Sequence, residues 1–458
     1  MKEFILEEPN LRKVMWRLSI PSILGMVLFG INQLIDGIFV GTFVGELALG
    51  GVSLSLPLAQ MFLGLGSMVG GGAASLLSIA LGSKDVEMQH KVLPIMNTVS
   101  VLITAMTMLV GLLFSGGLVR MMGGTGALFD FGNAYLRVIV IGAILPIWGL
   151  GCNLVIRGEG KMKTAMIMMG IGLATNIVLN YVFIVLLNWG VIGAAWATNA
   201  GMLVVCVLGL SYFASDRPSF STRVWALGFD GKVLMRLVVL GLPSLIMQVM
   251  MVIMMLTVYR LIARHGGDAD IAFIGAAFRI YFVASLPVIG MMRALQPIVG
   301  INFGADLFDR VQDSVRTFWI AMTGILGGMW IVVLIFAVPI LSTMLPNRIF
   351  SDAELQNFRL FMTALPVLPL SFIAITYFPS VGNGRAANIL ALARQVVLFI
   401  PAAIVCASIW KVNGVYYALF GTDFIISIVS GLMLLIALRR LVRKEGTEIE
   451  ARMGGYSN

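Results

Sequence analysis

The sequence is short of charge, of histidine and of cysteine, and each shortage closes a class of function. Charged residues make up 12% of the 458 positions while 59% are hydrophobic, against roughly a quarter charged in an ordinary globular chain. A set of water-soluble domains is excluded. The two histidines, His90 and His265, both fall in polar loops, so neither can anchor a clustered metal site. The three cysteines, Cys152, Cys206 and Cys406, lie inside apolar stretches and form neither a CxxC nor a disulfide framework. No GxxxxGK[ST] occurs: the run Gly158-Glu-Gly160-Lys161 has Val155 where an earlier glycine is required and Met162 where a hydroxyl is required, which argues against ATP hydrolysis by this chain. The glycine run Gly64 to Gly72 lies within an apolar stretch, where small residues four apart serve close helix packing rather than a dinucleotide. No His, Cys or paired-acid constellation stands at membrane depth, so the expectation is of no enzyme and no bound cofactor. The net charge of +9 is spread over loop flanks without a basic stripe or stacked aromatics, so no nucleic-acid partner is expected.

What is abundant is apolar sequence of bilayer length. Twelve stretches qualify, at about 18–40, 47–80, 92–115, 134–156, 164–187, 190–212, 233–260, 271–300, 313–345, 355–380, 386–409 and 414–438. Twelve spans of about 22 residues use roughly 264 positions, which leaves loops but no large domain outside the bilayer. The expected fold class is an all-α membrane protein of twelve transmembrane helices. Basic residues set its orientation, because they resist translocation. With the N-terminus in the cytoplasm, 22 of the 31 Lys and Arg fall in inside segments, seven in outside loops, and two, Arg279 and Arg293, within the eighth stretch. Both termini are therefore placed in the cytoplasm of a multi-pass plasma (inner) membrane protein. Residues 1–17 read as a charged, amphipathic N-terminus without a cleavage-like site. Residues 441–458 read as a cytoplasmic tail, polar from Lys444 onward and expected to lack fixed structure.

A repeat is also legible. Leu18-Ser-Ile-Pro21-Ser22 recurs as Leu240-Gly-Leu-Pro243-Ser244, and Ala80-Leu-Gly82-Ser as Asn302-Phe-Gly304-Ala, both at a spacing of 222. Gly158-Glu-Gly160-Lys161 recurs as Gly382-Asn-Gly384-Arg385 at 224. Such a constant offset marks two homologous halves. Each half has an even number of spans, so both cross in the same sense, related by a pseudo-twofold axis along the membrane normal with a cleft between them. The lobes are residues 18–212 and 233–440, joined by a cytoplasmic linker at 213–232.

A charge within hydrocarbon costs several kcal/mol, so an ionisable residue there is a functional candidate. The first six stretches hold one deep carboxylate, Asp36, about 27 Å along the first helix at 1.5 Å per residue. Asn176 and Asn180 share a face of the fifth helix at a similar depth, and Thr198 reaches it from the sixth. Their repeat partners are Val258, Ile400 and Ile404, so this chemistry belongs to one lobe. Burial disfavours a charged carboxylate and an arriving cation favours it; Asp36 is either an ion-coupling group or a structurally satisfied acid. Asn176 and Asn180 are either its partners or interhelical glue. In the second lobe Arg279 and Asp423 stand at matching depths and are expected to pair, most simply as a structural salt bridge. Arg293 shares the Arg279 face or snorkels inward. Pro21 removes a backbone donor and can bend the first helix. Thirty methionines offer adaptable surface to ligands of varied shape.

Taken together, the Pro21 helix with Asp36-Gly-Ile-Phe-Val-Gly41, the glycine-rich second helix ending Ala80-Leu-Gly82, the Arg157-Gly-Glu-Gly160 turn and Asn176-Ile-Val-Leu-Asn180 resemble the multidrug and toxic compound extrusion (MATE) transporters, DinF-like branch, over most of residues 11–440. The resemblance implies a V-shaped pair of six-helix lobes that exports cationic, amphipathic small molecules in exchange for H⁺ or Na⁺, as a monomer, with Asp36 as coupling residue. It places Tyr135, Asn153, Asn176, Asn180 and Thr198 around the pocket. Asn32, one turn before Asp36, and Asn180 are assigned to substrate binding. Where archaeal relatives carry a second Asp this chain has Asn180, and the acids that the NorM-like branch uses in its seventh and tenth helices are missing. The alternative from the same superfamily is a flippase of lipid-linked saccharides, whose phosphates would meet Arg279 and Arg293.

Overall fold

Lipid supplies no hydrogen bonds, so a spanning segment must satisfy its backbone internally, and the apolar stretches do so as helices. The computed structural model describes residues 2–345 and 348–454. A short amphipathic α1 (Lys2–Glu7) precedes α2 (Leu11–Phe39), which is capped by Asn10 accepting from the backbone N–H of Arg12 and Lys13. The first span thus reaches back to Leu11, inside the segment that reads as an extramembrane N-terminus. The first half continues through α3 (Glu46–Gly82), α4 (Val86–Met121), α5 (Gly126–Ile141), α6 (Ile144–Gly158), α7 (Met162–Asn180) and α8 (Gly190–Phe213). The second contains α9 (Gly231–His265), α10 (Asp268–Gly304), α11 (Phe308–Ile335), α12 (Ala337–Met344), α13 (Asp352–Met362), α14 (Leu368–Ser380), α15 (Gly384–Leu392) and α16 (Ile400–Gly454).

Among the described residues nine helical segments are long and apolar enough to cross a bilayer. A tenth crossing is α5 with α6, bent by 55°. The segment Gly384–Leu441 is 58 residues long and leaves helical geometry at Lys411 (φ 53°, ψ −129°), so it accommodates two crossings, and α14, which follows the more polar α13, is a shorter apolar helix. The pattern accords with twelve. α16 runs on to Gly454, so the polar tail is helical that far, contrary to the expectation from its composition; its last four residues, 455–458, lie outside the described residues. Three stretches are π-helical: Val40–Val44 after α2, Tyr181–Leu186 after α7, and Ala393–Phe399 between α15 and α16.

The repeat reappears as geometry. A Cβ on Gly82 would stand 2.1 Å from the Ile301 carbonyl oxygen, and one on Gly304, its mate 222 positions on, 2.1 Å from that of Ile79. Ile79 and Ile301 are themselves 222 apart, so the contact is reciprocal, as a twofold relation requires. The seam between the lobes is built from α2 and α3 against α9 and α10. A Cβ on Gly241 would lie 1.7 Å from the Met68 carbonyl oxygen, one on Gly72 2.0 Å from that of Leu237, and one on Gly290 2.6 Å from Ile23 Cα. Gln296 Nε2 crosses the seam to Gly71 O and Ser75 Oγ, each at 3.0 Å. These closest approaches lie toward the face that carries α1, where Arg310 Nη2 donates to Ile5 O and Glu8 O.

The linker is pinned on the same face. Asn97 Nδ2 donates to Val224 O and Ala226 O, and fully buried Glu159 accepts from the Tyr212 hydroxyl and the Ser219 N–H beside Lys161. Asp230 caps α9, and the backbone N–H of Val233 helps hold its carboxyl below the usual carboxylate range. The glycine seam generates a direct test. Gly241→Val should lower stability in detergent by about 1–3 kcal/mol through overpacking, read as a fall in the thermal unfolding midpoint. Gly324→Ala, where nothing stands within 4 Å, should leave that midpoint unchanged.

Candidate functional site

Asn32 and Asp36 are four residues apart on α2 and so share one face. Asn176 and Asn180 do the same on α7, and Thr198 faces them from α8. The structure brings all five together. Asn180 Nδ2 donates to Asp36 Oδ1 at 2.5 Å, and Asn32 Nδ2 to Asp36 Oδ2 at 3.2 Å. The Asn176 amide is best satisfied with its nitrogen toward Asp36 Oδ1 (2.9 Å) and Asn32 Oδ1 (3.0 Å), its oxygen accepting from the Thr198 backbone N–H (3.2 Å); amide orientation follows from such a network. Thr198 Oγ1 returns to Ala194 O. Every partner of the Asp36 carboxylate is a neutral amide. The Oδ1 of Asn180 is buried without any partner.

The surrounding helices are irregular where this cluster sits. Asn180 is the last residue of α7 before the π-helical Tyr181–Leu186, and Asp36 lies one turn before the π-helical Val40–Val44. π-turns alter side-chain register and recur at functional sites. Asp36 opens on a cavity of about 980 Å³, counting the space at its mouth, whose wall includes Phe29, Asn32, Tyr135, Leu173 and Thr198. That wall carries one acid and no Lys or Arg. Asn176 and Asn180 stand behind the carboxylate rather than on the wall, so Asn180, expected to touch substrate, touches Asp36 instead.

Two expectations, Asn153 and the Arg279–Asp423 pair, need correction. Asn153 is fully buried elsewhere: its Nδ2 donates to Ala165 O at 2.8 Å and its Oδ1 accepts from Arg157 Nε at 2.9 Å. It binds α6 to α7 near the face bearing α1, as its depth in the sequence indicates, and takes no part in the cavity. α2 is continuous through Pro21 in this structure, with the missing donor leaving a point at which it can bend, and it departs from α-helical geometry at Val40. Asp423 pairs not with Arg279, which is exposed, but with Arg394, whose Nε and Nη2 lie 3.0 and 2.7 Å from Asp423 Oδ1, while the Tyr281 hydroxyl donates to Oδ2 at 3.1 Å. Arg394 sits in the π-helical Ala393–Phe399 and is a membrane-embedded partner, not the loop flank that the orientation count makes of it.

One participant escapes the sequence reading. Asn199 is buried on the cavity wall and donates to Val138 O at 2.8 Å. Pro146 supplies no N–H to the Gly142 carbonyl, and at Gly142 a Cβ would lie 2.4 Å from the Asn199 side chain. The Gly142 carbonyl accepts from the Leu145 N–H instead, and Asn199 adds a second hydrogen bond to the Val138 carbonyl, which also accepts from the Gly142 N–H; it thereby ties the last turn of α5, just before the bend, to α8. The available signal was the pairing of Gly142 and Pro146 inside one apolar stretch.

The MatE family profile matches residues 21–182 and 243–405, two blocks whose starts are again 222 apart. The multidrug export protein MepA of Staphylococcus haemolyticus (strain JCSC1435) is 23% identical over 447 residues, 98% of each chain. That of Staphylococcus aureus (strain MRSA252) is 24% identical over 443 residues, 96% of each. Among solved structures, MATE in the bent conformation superposes with a TM-score of 0.89 at 24% identity, over 95% of this chain and 97% of that one. MATE in the straight conformation gives 0.89 at 24%, over 96% and 99%.

The corrected pairing in the second lobe is testable by substitution. Arg394→Leu, which strands a buried carboxylate, should cost about 3–5 kcal/mol, whereas Arg279→Leu should change stability little. Chemical or thermal unfolding of the purified variants reads the difference, and the reverse order would restore the Arg279 pairing.

Proposed function

This chain belongs to the MatE family of transporters, and from that premise we propose that it is a secondary active antiporter that exports cationic, amphipathic molecules in exchange for protons taken up at Asp36. The observation that carries this reading is a lone cavity-facing carboxylate held only by amides. An acid locked to a guanidinium cannot change charge cheaply; one held by Asn32, Asn176 and Asn180 can.

In the charged state Asp36 accepts these amide hydrogen bonds and attracts a cationic cargo into a wall otherwise free of charge. A proton arriving from outside neutralises it. The amide donors then lose their anion, the unpartnered Asn180 Oδ1 becomes available to accept from the new carboxylic hydroxyl, and the attraction for the cargo disappears. The reordered contacts act on α2, whose backbone has two weak points, the missing donor at Pro21 and the π-helical Val40–Val44. Cargo then leaves and the lobes rock about their seam to return the site. The driving force is about 2.3 kcal/mol per charge per 100 mV of membrane potential, plus any pH difference. In this reading the protein resides in the bacterial or archaeal plasma membrane with both termini cytoplasmic, and a monomer suffices, because the two fused lobes already form the cleft. An acid without a neighbouring cation opposes the phosphate of a lipid-linked saccharide, and Arg279 and Arg293 are absent from the cavity wall, so export of cations is the better fit.

The test is dye efflux from proteoliposomes with pH and Na⁺ gradients imposed separately. Wild-type protein should move a cationic dye when a pH gradient alone is applied. Asp36→Asn should insert and fold but lose efflux by at least tenfold. Full efflux by that variant would refute the proposal, and efflux driven only by Na⁺ would replace the proton with sodium as the coupling ion.

A further inference from the structure

The acid of the first lobe has its partners, but two arginines at the seam have none of opposite charge. Arg157, at the end of α6, is 6% exposed. Its Nε donates to Asn153 Oδ1 and its Nη1 to Ser22 Oγ, both at 2.9 Å, while Nη2 faces Gly25. Arg293 stands on α10 three residues after Gly290, which abuts Ile23 on α2, the residue next to the Ser22 that Arg157 holds, and the same helix face continues one turn on to Gln296, which bonds across the seam to Gly71 and Ser75. Among the described residues neither arginine has a carboxylate within salt-bridge distance, and Arg293 makes no side-chain hydrogen bond. Ser19, three residues before Ser22 on α2, is fully buried and its hydroxyl has no partner. Since α2 meets α10 at Ile23 and Gly290 and the two helices run oppositely, Ser19 and Arg293 lie at neighbouring levels of the contact.

Arg157 is buried and Arg293 half-buried, and two guanidinium groups placed close together without an anion are unfavourable by both desolvation and repulsion. Guanidinium forks match the geometry of oxyanions, and hydroxyls of the Ser19 and Ser22 kind complete such a site. We propose that Arg157, Arg293, Ser22 and Ser19 form a binding site for a phosphate group at the seam between the lobes, on the side that carries the chain termini. The group is an inorganic phosphate or the headgroup of an acidic phospholipid entering between α2 and α10. Its charge offsets both arginines, one from each lobe, so that occupancy holds the seam closed. The site is separate from the Asp36 cavity and does not depend on which ion drives transport.

The measurement is thermal unfolding of the purified, delipidated chain, first in detergent with inorganic phosphate against chloride at equal ionic strength. The second arm uses nanodiscs of phosphatidylglycerol against phosphatidylcholine. Wild-type protein should shift upward with phosphate if the free anion binds, and only with phosphatidylglycerol if the headgroup does. Arg293→Gln should lose the shift and weaken phosphate or lipid binding at least tenfold. Without either anion this variant should be more stable than wild type, because it removes an unpaired like charge. Arg293→Lys, which keeps the charge and loses the fork, should retain part of the shift. No shift in either arm, an unchanged shift in Arg293→Gln, or an equal destabilisation of that variant with and without anion would overturn the proposal.

Discussion

Everything in the first lobe turns on keeping one carboxylate inside a membrane without a fixed cation. A guanidinium would lock its charge; among the described residues Asp36 is held instead by three amide side chains, and amides can serve either protonation state, because each offers both a donor and an acceptor. Asn180 makes this concrete: its nitrogen serves Asp36 while its buried oxygen waits without a donor. The π-helical turns that follow Asp36 and Asn180 place irregular backbone next to this carboxylate.

The second lobe shows the contrary arrangement on the same scaffold. Asp423 is held by Arg394 and by the Tyr281 hydroxyl, an acid paired with a guanidinium, and the repeat positions of Asp36, Asn176 and Asn180 are all aliphatic. Homologous halves therefore share their packing but not their chemistry. What they share is the glycine seam, where Gly82 and Gly304 exchange equivalent contacts, and where backbones approach too closely for any side chain. The seam is a narrow line of contact between the two lobes, and the Asp36 cluster lies away from it in one of them.

How much of this the sequence disclosed follows from what each feature needs. The spans, the repeat and the Asp36 cluster were legible, because apolar length, a fixed offset and helical spacing are one-dimensional properties. The proximity of Asp36, Asn180 and Thr198 needed only the rise per residue. The Arg394 pairing was not legible, since it depends on a π-helical stretch that no propensity signals and on a residue that counts equally well as a loop flank. The Asn199 brace was hidden for a related reason: the bend at Gly142 lies inside one apolar stretch, and glycine and proline within membrane helices do not announce a break as they do in water. Asn153 shows the reverse. Its depth along the sequence placed it correctly, and the resemblance to a family placed it wrongly, because a shared fold does not fix the role of each polar side chain.

The central claim is that Asp36 trades a proton for a cationic cargo. The most direct measurement is proton release when a cationic substrate is titrated into purified protein, by calorimetry in buffers of different ionisation enthalpy. The mechanism predicts release of about one proton per substrate bound near the pH at which Asp36 begins to ionise, and none from Asp36→Asn. Substrate binding with no proton released at any pH, or with the same release from Asp36→Asn, would contradict it.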